Sequence, residues 1–231
     1  MSSDGRVSRI WTAGSYPNVG RNFLPMAAHL VGAADVDRGQ EVLDIACGTG
    51  NVAITAARRG AWVTGVDITP AMLDGARENA ALAGVPEIDW HEGDATDLPF
   101  EDDAFDVTLS CVGHMFVQPP DAVAAEQVRV TRPGGRIAFT SWTPGSVVTA
   151  MASVLREYLP ANPAAPADPS LGGDPATVGE QLEDEVLALE DVDEADRPAL
   201  RADVLEEIER AFDDGENAVS PEYRLTRATI P

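Results

Sequence analysis

The sequence predicts an α/β fold, a Rossmann-like doubly wound and mostly parallel sheet. Short apolar runs alternate with helical stretches at the spacing of βαβ units. The first run is followed by a glycine cluster, Gly48 and Gly50, and the second ends at an acidic residue, Asp67. Because βαβ crossovers are right-handed, the carboxyl ends of these strands lie at one edge of the sheet, where ligands bind.

The first half of the predicted core contains two strands and two helices. Residues 41–46 form a short apolar run that is typical of a buried parallel strand. Residues 51–59 are alanine-rich and predict a helix that stops at Gly60. Residues 62–66 predict the second strand. Thr69-Pro70 then supplies an N-cap and a proline at the first helical position, and the helix runs to about Ala83.

The second half of the core continues the alternation. We predict strands at residues 88–92, 105–110 and 135–140, and a helix at 121–130. Residues 132–136 (RPGGR) predict a turn before the fifth strand.

Beyond Trp142 the composition changes. Residues 168–222 contain 19 acids and three arginines, which is usual for a solvated helix face or a connector. Within this stretch, residues 198–212 have the apolar spacing of an amphipathic helix, and residues 223–230 predict a final strand. We therefore divide the chain into an N-terminal cap segment (1–40), a cofactor-binding core (41–145) and an acidic C-terminal segment that completes the sheet (146–231).

The net charge of −23 limits the classes of partner that the protein can bind. All 16 basic residues are arginine and none is lysine, against 39 acids. Such a surface repels phosphate backbones, so we expect no nucleic-acid partner. We hypothesise adaptation to a high-salt, halophilic cytoplasm, where screening removes the self-repulsion; an acidic protein of an ordinary cytoplasm is the alternative.

Location follows from what the sequence lacks. No apolar run approaches the roughly 20 residues of a membrane span, and the N-terminus has no secretory layout. The two cysteines, Cys47 and Cys111, are too few for a disulfide framework or a metal cluster. We expect a cytoplasmic protein without a bound metal, and its oligomeric state stays open.

The glycine cluster predicts a ligand at a helix start. Glycines allow a sharp strand-to-helix turn and a close approach of ligand to backbone, whose amides point at it. Gly48, Gly50 and Ala53 also satisfy the dinucleotide fingerprint, so the motif alone does not separate cofactors. A tight turn without any ligand is the remaining interpretation.

Acids that end the second and third strands point to an adenosine. Asp67 can accept hydrogen bonds from both ribose hydroxyls, as a dehydrogenase using NAD would also require; a plain helix-capping acid is the alternative. Asp94 can accept a hydrogen bond from the adenine amino group, and Ile68 and Ala95 can enclose its ring. A dehydrogenase gives no reason for the stretch from Asp94 onward.

Four segments in order carry a resemblance to a known family: VLDIACGTGN, VTGVDITPAML, EGDATDLPFEDDAFDVTLS and RPGGRIAFTSW. They resemble motifs I, post-I, II and III of class I S-adenosylmethionine (SAM)-dependent methyltransferases, most closely the small-molecule group that includes the quinone-biosynthesis C-methyltransferases. Residues 10–17 resemble the aromatic segment that folds over the cofactor in that group. The resemblance covers residues 8–145 and implies a sheet order of 3-2-1-4-5-7-6, with strand seven antiparallel and formed by residues 223–230.

The resemblance also implies site residues. Asp44 faces the methionine ammonium, Gly48 and Gly50 shape the floor, and Ser110 lies near the methionine portion. Tyr16 caps the amino-acid end. Ala46 stands where many relatives have a glycine, and we expect its small methyl to have little effect.

The methyl acceptor is the least defined part. A sulfonium donor is already activated, so positioning supplies most of the acceleration and no metal is needed. His114 could take a proton from the acceptor, although a lone loop histidine is more often structural. Met115 and Phe116 could line an acceptor pocket or the core. The Asn/Asp-Pro-Pro-aromatic motif of nucleic-acid amino methylases is absent at 110–113.

The sequence therefore predicts a SAM-dependent methyltransferase with a small-molecule acceptor. An NAD-dependent oxidoreductase is one alternative. Another is a SAM-binding module without turnover, because the segment between strands five and seven is short and acidic where relatives carry a lid. Residues 185–190 are what remains of strand six in this interpretation.

Overall fold

The computed structural model describes residues 20–117, 120–142 and 223–230. The chain divides into two compact units, Met1–Thr140 with Leu225–Pro231, and Ser141–Arg224. Nearly all described residues belong to the first unit. Tyr16, the predicted helix at 198–212 and the predicted strand remnant at 185–190 lie outside the described residues, and the three-part division of the chain stays a prediction.

The described residues contain one six-stranded sheet with the strand order 3-2-1-4-5-6. The adjacent pairs β2/β3, β1/β2, β1/β4 and β4/β5 are parallel. The strands are β1 (Glu41–Ile45), β2 (Trp62–Asp67), β3 (Asp89–Glu92), β4 (Phe105–Cys111), β5 (Thr131–Trp142) and β6 (Tyr223–Thr229). The predicted Rossmann-like fold class is confirmed.

The last strand occupies the position that the expected order gives to strand seven. Ile230, just after β6, exchanges backbone hydrogen bonds of 2.8 and 2.9 Å with Gly134 and Gly135 near the start of β5. The end of β6 therefore meets the beginning of β5, and the two strands run in opposite directions. The sequence prediction of a closing antiparallel strand is confirmed.

Helices cover both faces of the sheet. They are α1 (Leu24–Ala33), α2 (Asn51–Arg58), α3 (Pro70–Ala83) and α4 (Pro120–Val130), with short 3-10 turns at Arg21–Phe23 and His114–Phe116. One apolar cluster joins α1, α2 and α3 to side chains of β1, β2 and β4. A second cluster joins the opposite face to α4 and the loop before β4. The sheet is thereby buried on both faces, as a parallel sheet requires.

Two local predictions need correction. Thr69 is the N-cap of α3 and Pro70 its first residue, but the Thr69 side chain makes no capping hydrogen bond. The Asp67 carboxylate accepts a hydrogen bond from the Thr69 N–H at 2.9 Å. The turn predicted at 132–136 is instead an irregularity within β5. Phe105 of β4 pairs with Thr131, but Val107, two residues later, pairs with Arg136.

Among the helices that the structure describes, none has both the length and the apolar character that crossing a bilayer requires.

Candidate functional site

The candidate site lies at the carboxyl edge of the sheet, where β1, β2 and β4 end next to one another. Asp44 in β1 is in register with Gly65 in β2 and with Leu109 in β4. The residues that follow these positions therefore emerge together at one edge. In a parallel α/β sheet this edge is the usual place for a ligand.

The loop after β1 turns the chain sharply into α2. Gly50 is the N-cap of α2 and has a φ of 85°, a left-handed value that glycine adopts without strain. The loop is tied to the neighbouring strand, because the Gly48 N–H donates to Oδ2 of Asp67 at 2.8 Å. The first amides of α2 and the end of β2 are thus held in one fixed arrangement.

Asp67 is held by backbone amides on both of its oxygens. Oδ2 accepts from Gly48 and Oδ1 accepts from the Thr69 N–H at 2.9 Å. The residue is only 9% exposed, and burial raises the pKa of its carboxyl while the two amide bonds lower it. Each carboxylate oxygen can accept a further hydrogen bond, so a ligand with two adjacent hydroxyl donors matches this group.

Asp44 lies deeper in the same region. Its Oδ2 accepts from the Ala53 N–H in the first turn of α2 at 2.9 Å. Burial raises the pKa of Asp44 to about 8, the Ala53 bond opposes that rise, and repulsion from Asp67 adds to it. Burial and the same two carboxylates raise the pKa of the neighbouring Cys47 thiol. Within the described residues, neither carboxylate is paired with an arginine or a histidine.

The region after β3 contains the residues predicted to meet adenine. Asp94 is exposed, and its Oδ1 accepts from both the N–H and the hydroxyl of Thr96 at 2.8 Å. Ile68 is half-buried, whereas Ala95 is 8% exposed and belongs to the apolar cluster on the α4 face. Their role toward adenine stays a prediction.

The end of β4 is built around Ser110. Its buried hydroxyl donates to the Ile45 carbonyl at 2.9 Å and accepts from the His114 N–H at 3.0 Å. These bonds link the ends of β1 and β4 and fix the turn that carries His114. The hydroxyl therefore serves the local fold, and its predicted place near the methionine portion stays untested.

His114 is only 6% exposed. The centroid of its ring lies 4.3 Å from the centroid of the Phe139 ring. Burial alone lowers its pKa to about 4, so the imidazole is neutral at physiological pH. Neither ring nitrogen has a hydrogen-bond partner in the described part of the chain. The adjacent Met115 is 1% exposed and packs in the interior, and nothing is described of the Phe116 side chain.

Three features of the site have no counterpart in the sequence prediction. Trp90 in β3 packs so closely that a Cβ at Gly65 would lie 2.5 Å from its ring. Gly113 is packed against the first turn, because a Cβ there would lie 2.6 Å from that of Ala46. Ala46 and Val112 both have left-handed backbones, with φ values of 53° and 52°. Of these features, only the packing of Trp90, on the edge strand β3, against Gly65 could have been suspected from the sequence.

The part of the chain that the structure describes holds no group of three or more His, Cys, Asp or Glu side chains able to bind a metal ion.

Comparison with known proteins gives a consistent result. Residues 42–135 match the family model of the methyltransferase domain. An uncharacterised protein of Mycobacterium tuberculosis is 41% identical over 157 residues, which cover 68% of this chain and 57% of that protein. The demethylmenaquinone methyltransferase of Paenarthrobacter aurescens is 37% identical over 130 residues, covering 56% of this chain and 49% of that enzyme. The chain thus spans about half to three fifths of the length of these relatives.

Solved structures agree on the fold. A Bacillus halodurans crystal structure assigned to the methyltransferases is 27% identical with a TM-score of 0.51, and the match covers 57% of this chain and 59% of that one.

The site fits a cationic nucleoside such as S-adenosylmethionine. Two buried carboxylates lie together without a basic partner among the described residues, and a sulfonium with an ammonium group would relieve their repulsion. Both oxygens of Asp67 retain capacity for hydroxyl donors while their amide bonds hold them in place. The two carboxyl groups therefore match the positive charge and the ribose diol of this cofactor.

Proposed function

We propose that the chain transfers a methyl group from S-adenosylmethionine to a small molecule, which the match of residues 42–135 to the methyltransferase domain model supports. The observation that carries the proposal is the buried pair Asp44 and Asp67 at the ends of β1 and β2, each oriented by backbone amides. The acceptor atom is oxygen, nitrogen or carbon, and the acceptor is not a nucleic acid, because the net charge of −23 repels phosphates.

The proposed cofactor-binding residues are those that the motif resemblance implies, and the positions of Asp44 and Asp67 support two of them. Asp67 would accept the ribose hydroxyls, and Asp44 would face the amino-acid end. Asp94 and Ala95, with Ile68, would meet the adenine. Tyr16, Ala46, Gly48, Gly50 and Ser110 complete the proposed set.

The chemistry asks little of the protein beyond positioning. When bound, the cofactor supplies a methyl group on a positively charged sulfur, which is already a good leaving group. The protein must hold the acceptor in line and exclude water, and such orientation can supply about 7–11 kcal/mol of the barrier reduction. The bonds from Gly48 and Ser110 to neighbouring strands keep this edge of the sheet rigid. A rigid edge is what positioning catalysis needs.

Two measurements test the proposal. Calorimetry should detect binding of S-adenosylmethionine and none of NAD; tight NAD binding would favour the oxidoreductase alternative. An untargeted search should then find lysate metabolites that gain a labelled methyl group in the presence of the protein. Cofactor binding without any labelled product would instead favour a SAM-binding module without turnover.

We further propose that the acidic surface is an adaptation to a high-salt cytoplasm. At molar salt the Debye length falls to about 3 Å, which screens the repulsion among the 39 acids. The melting temperature should therefore rise between about 0.1 and 3 M KCl. A flat or falling midpoint would contradict this proposal and leave the methyl-transfer function untouched.

A further inference from the structure

The turn after β4 contains a buried polar group that the local fold does not satisfy. Both ring nitrogens of His114 are buried and lack partners in the described part of the chain. A buried donor or acceptor without a hydrogen bond is unfavourable and rare in native structures. The fold of this unit therefore does not account for an imidazole at this position, since an apolar side chain of similar size would fill the space without that penalty.

The same turn is strained. Val112, two residues before His114, has a φ of 52°, and a left-handed backbone is unfavourable for a β-branched residue. The strain is held by the surrounding bonds, because the Val112 N–H donates to the Thr140 carbonyl at 3.0 Å. Strained backbone of this kind concentrates at functional sites, where the rest of the structure fixes it.

The turn is also placed at the carboxyl edge of the sheet. Ser110 connects the His114 N–H to the carbonyl of Ile45, the last residue of β1. Gly113 lies against Ala46 in the loop that begins the cofactor-binding motif. His114 is therefore anchored to the same edge as the buried carboxylates, on the side of β4.

We propose that His114 binds the methyl acceptor, with a ring nitrogen accepting a hydrogen bond from the O–H or N–H group that becomes methylated. This inference rests on the methyl-transfer function proposed above. In the step, the bond between the acceptor atom and the methyl carbon forms as the carbon–sulfur bond breaks. The electron pair of that bond stays on the sulfur, and the proton of the acceptor passes to the imidazole and then to solvent.

The electrostatics of the turn favour the hydrogen-bond-accepting part of this role, and they require the proton to pass on to solvent rather than stay on the ring. Burial keeps the imidazole neutral, so a nitrogen lone pair is available to the acceptor at physiological pH. Phe139 provides an aromatic surface beside the ring. We therefore expect an acceptor with an apolar body and one hydroxyl or amine group.

Three variants test the assignment. His114→Leu removes both nitrogens at similar volume, His114→Gln keeps a polar group, and Met115→Leu is a matched control in the same buried turn. Each is assayed for transfer of labelled methyl from S-adenosylmethionine to the dialysable metabolites of a lysate. The transfer rate of His114→Leu should be lower than that of the wild type by about 100-fold or more, the scale of a general base. His114→Gln should lose less, and Met115→Leu should match the wild type.

Two further readouts separate acceptor binding from a structural role. Because His114→Leu removes unsatisfied polar atoms, its melting temperature should equal or exceed that of the wild type, and its cofactor affinity should be unchanged. Lower stability with weaker cofactor binding would overturn the inference, as would a wild-type transfer rate in His114→Leu. A wild type that binds the cofactor and labels no metabolite would refute the methyl-transfer function and this inference together.

Discussion

At the ends of β1 and β2, both buried carboxylates are held by backbone amides, whereas at the end of β4 a buried imidazole has no partner among the described residues. We call the first region the carboxylate end and the second the histidine end. At the carboxylate end, the amide bonds already fix the orientation of both carboxyl groups. The histidine end keeps an unfilled hydrogen-bonding capacity and a strained backbone. Under the proposed function, a preformed site would receive the cofactor, and the acceptor would complete the hydrogen bonding at the other end.

The largest expected effect comes from Asp67 at the carboxylate end. Asp67→Ala removes the acceptor of two backbone amides and of the proposed ribose hydroxyls. Cofactor affinity should fall by about 1.5–3 kcal/mol, the scale of charge-assisted hydrogen bonds. Calorimetry with S-adenosylmethionine measures the change.

A matched control is the same aspartate-to-alanine substitution at a position away from the site. Asp97 is exposed and has no proposed role, so Asp97→Ala should bind the cofactor like the wild type. Equal affinities for Asp67→Ala and Asp97→Ala would remove Asp67 from the site.

The next largest effect is a loss of stability when a methyl group is added to a closely packed glycine at either end. Gly65→Ala would place a Cβ 2.5 Å from the Trp90 ring, and Gly113→Ala would place one 2.6 Å from the Ala46 Cβ and 2.9 Å from its carbonyl oxygen. Overpacking of this kind costs about 1–3 kcal/mol. Gly113→Ala should be the more destabilising, because a backbone atom cannot move aside as a side chain can.

Denaturant titrations measure both glycine variants. Gly84→Ala is a poor control because the φ of Gly84 is left-handed. Gly75→Ala within α3 would place a Cβ 3.4 Å from the Thr49 side chain, an ordinary van der Waals contact, and should be close to neutral. A Gly113→Ala protein as stable as wild type would contradict the tight contact between the two turns.

The carboxylate end also predicts a dependence on pH. Burial raises the pKa of Asp44 to about 8 in the folded state, above its ordinary value of 3.8. A carboxyl with a raised folded-state pKa contributes stability below its unfolded pKa and loses it as the pH rises through the folded value. The protein without cofactor should therefore lose stability between about pH 4 and pH 8 on account of this group.

Asp44→Asn isolates that contribution, because the amide stays neutral and its oxygen can still accept the Ala53 N–H. The difference in melting temperature between wild type and variant should grow from pH 6 to pH 9, in favour of the variant. In the wild type, binding of the cationic cofactor near neutral pH should release a proton, which calorimetry in two buffers detects. A constant difference across this range would show that Asp44 does not titrate there.

The two ends differ in how far the sequence predicted them. The carboxylate end could be predicted because its residue types indicate their positions. Glycines mark the turn and acids follow the strands, at the spacing of a βαβ unit. The helix after Gly50 was predicted for the same reason. The strand order and the closing antiparallel strand, in contrast, were what the resemblance to class I methyltransferases implied.

The histidine end depends on geometry that residue types do not encode. Nothing in the residue type of Val112 predicts a left-handed backbone, and nothing around His114 predicts that both nitrogens lack partners. Thr69 is the N-cap residue of α3 as predicted, but its side chain makes no capping hydrogen bond. Whether a side-chain oxygen reaches the amides of the first helical turn is decided by distances that only the folded chain defines.

The smallest expected effect is at Ala46, where the carboxylate end touches the histidine end. Its φ of 53° is left-handed, so Ala46→Gly relieves backbone strain but adds conformational freedom to the unfolded chain. These terms largely cancel, and a net gain of up to about 1 kcal/mol is expected. The methyl group also packs against Gly113, so its removal loosens the contact between the two turns. If that contact positions His114, the Ala46→Gly protein should be at least as stable as the wild type yet transfer methyl groups more slowly at unchanged cofactor affinity, and an equal rate would mean that the two ends work independently.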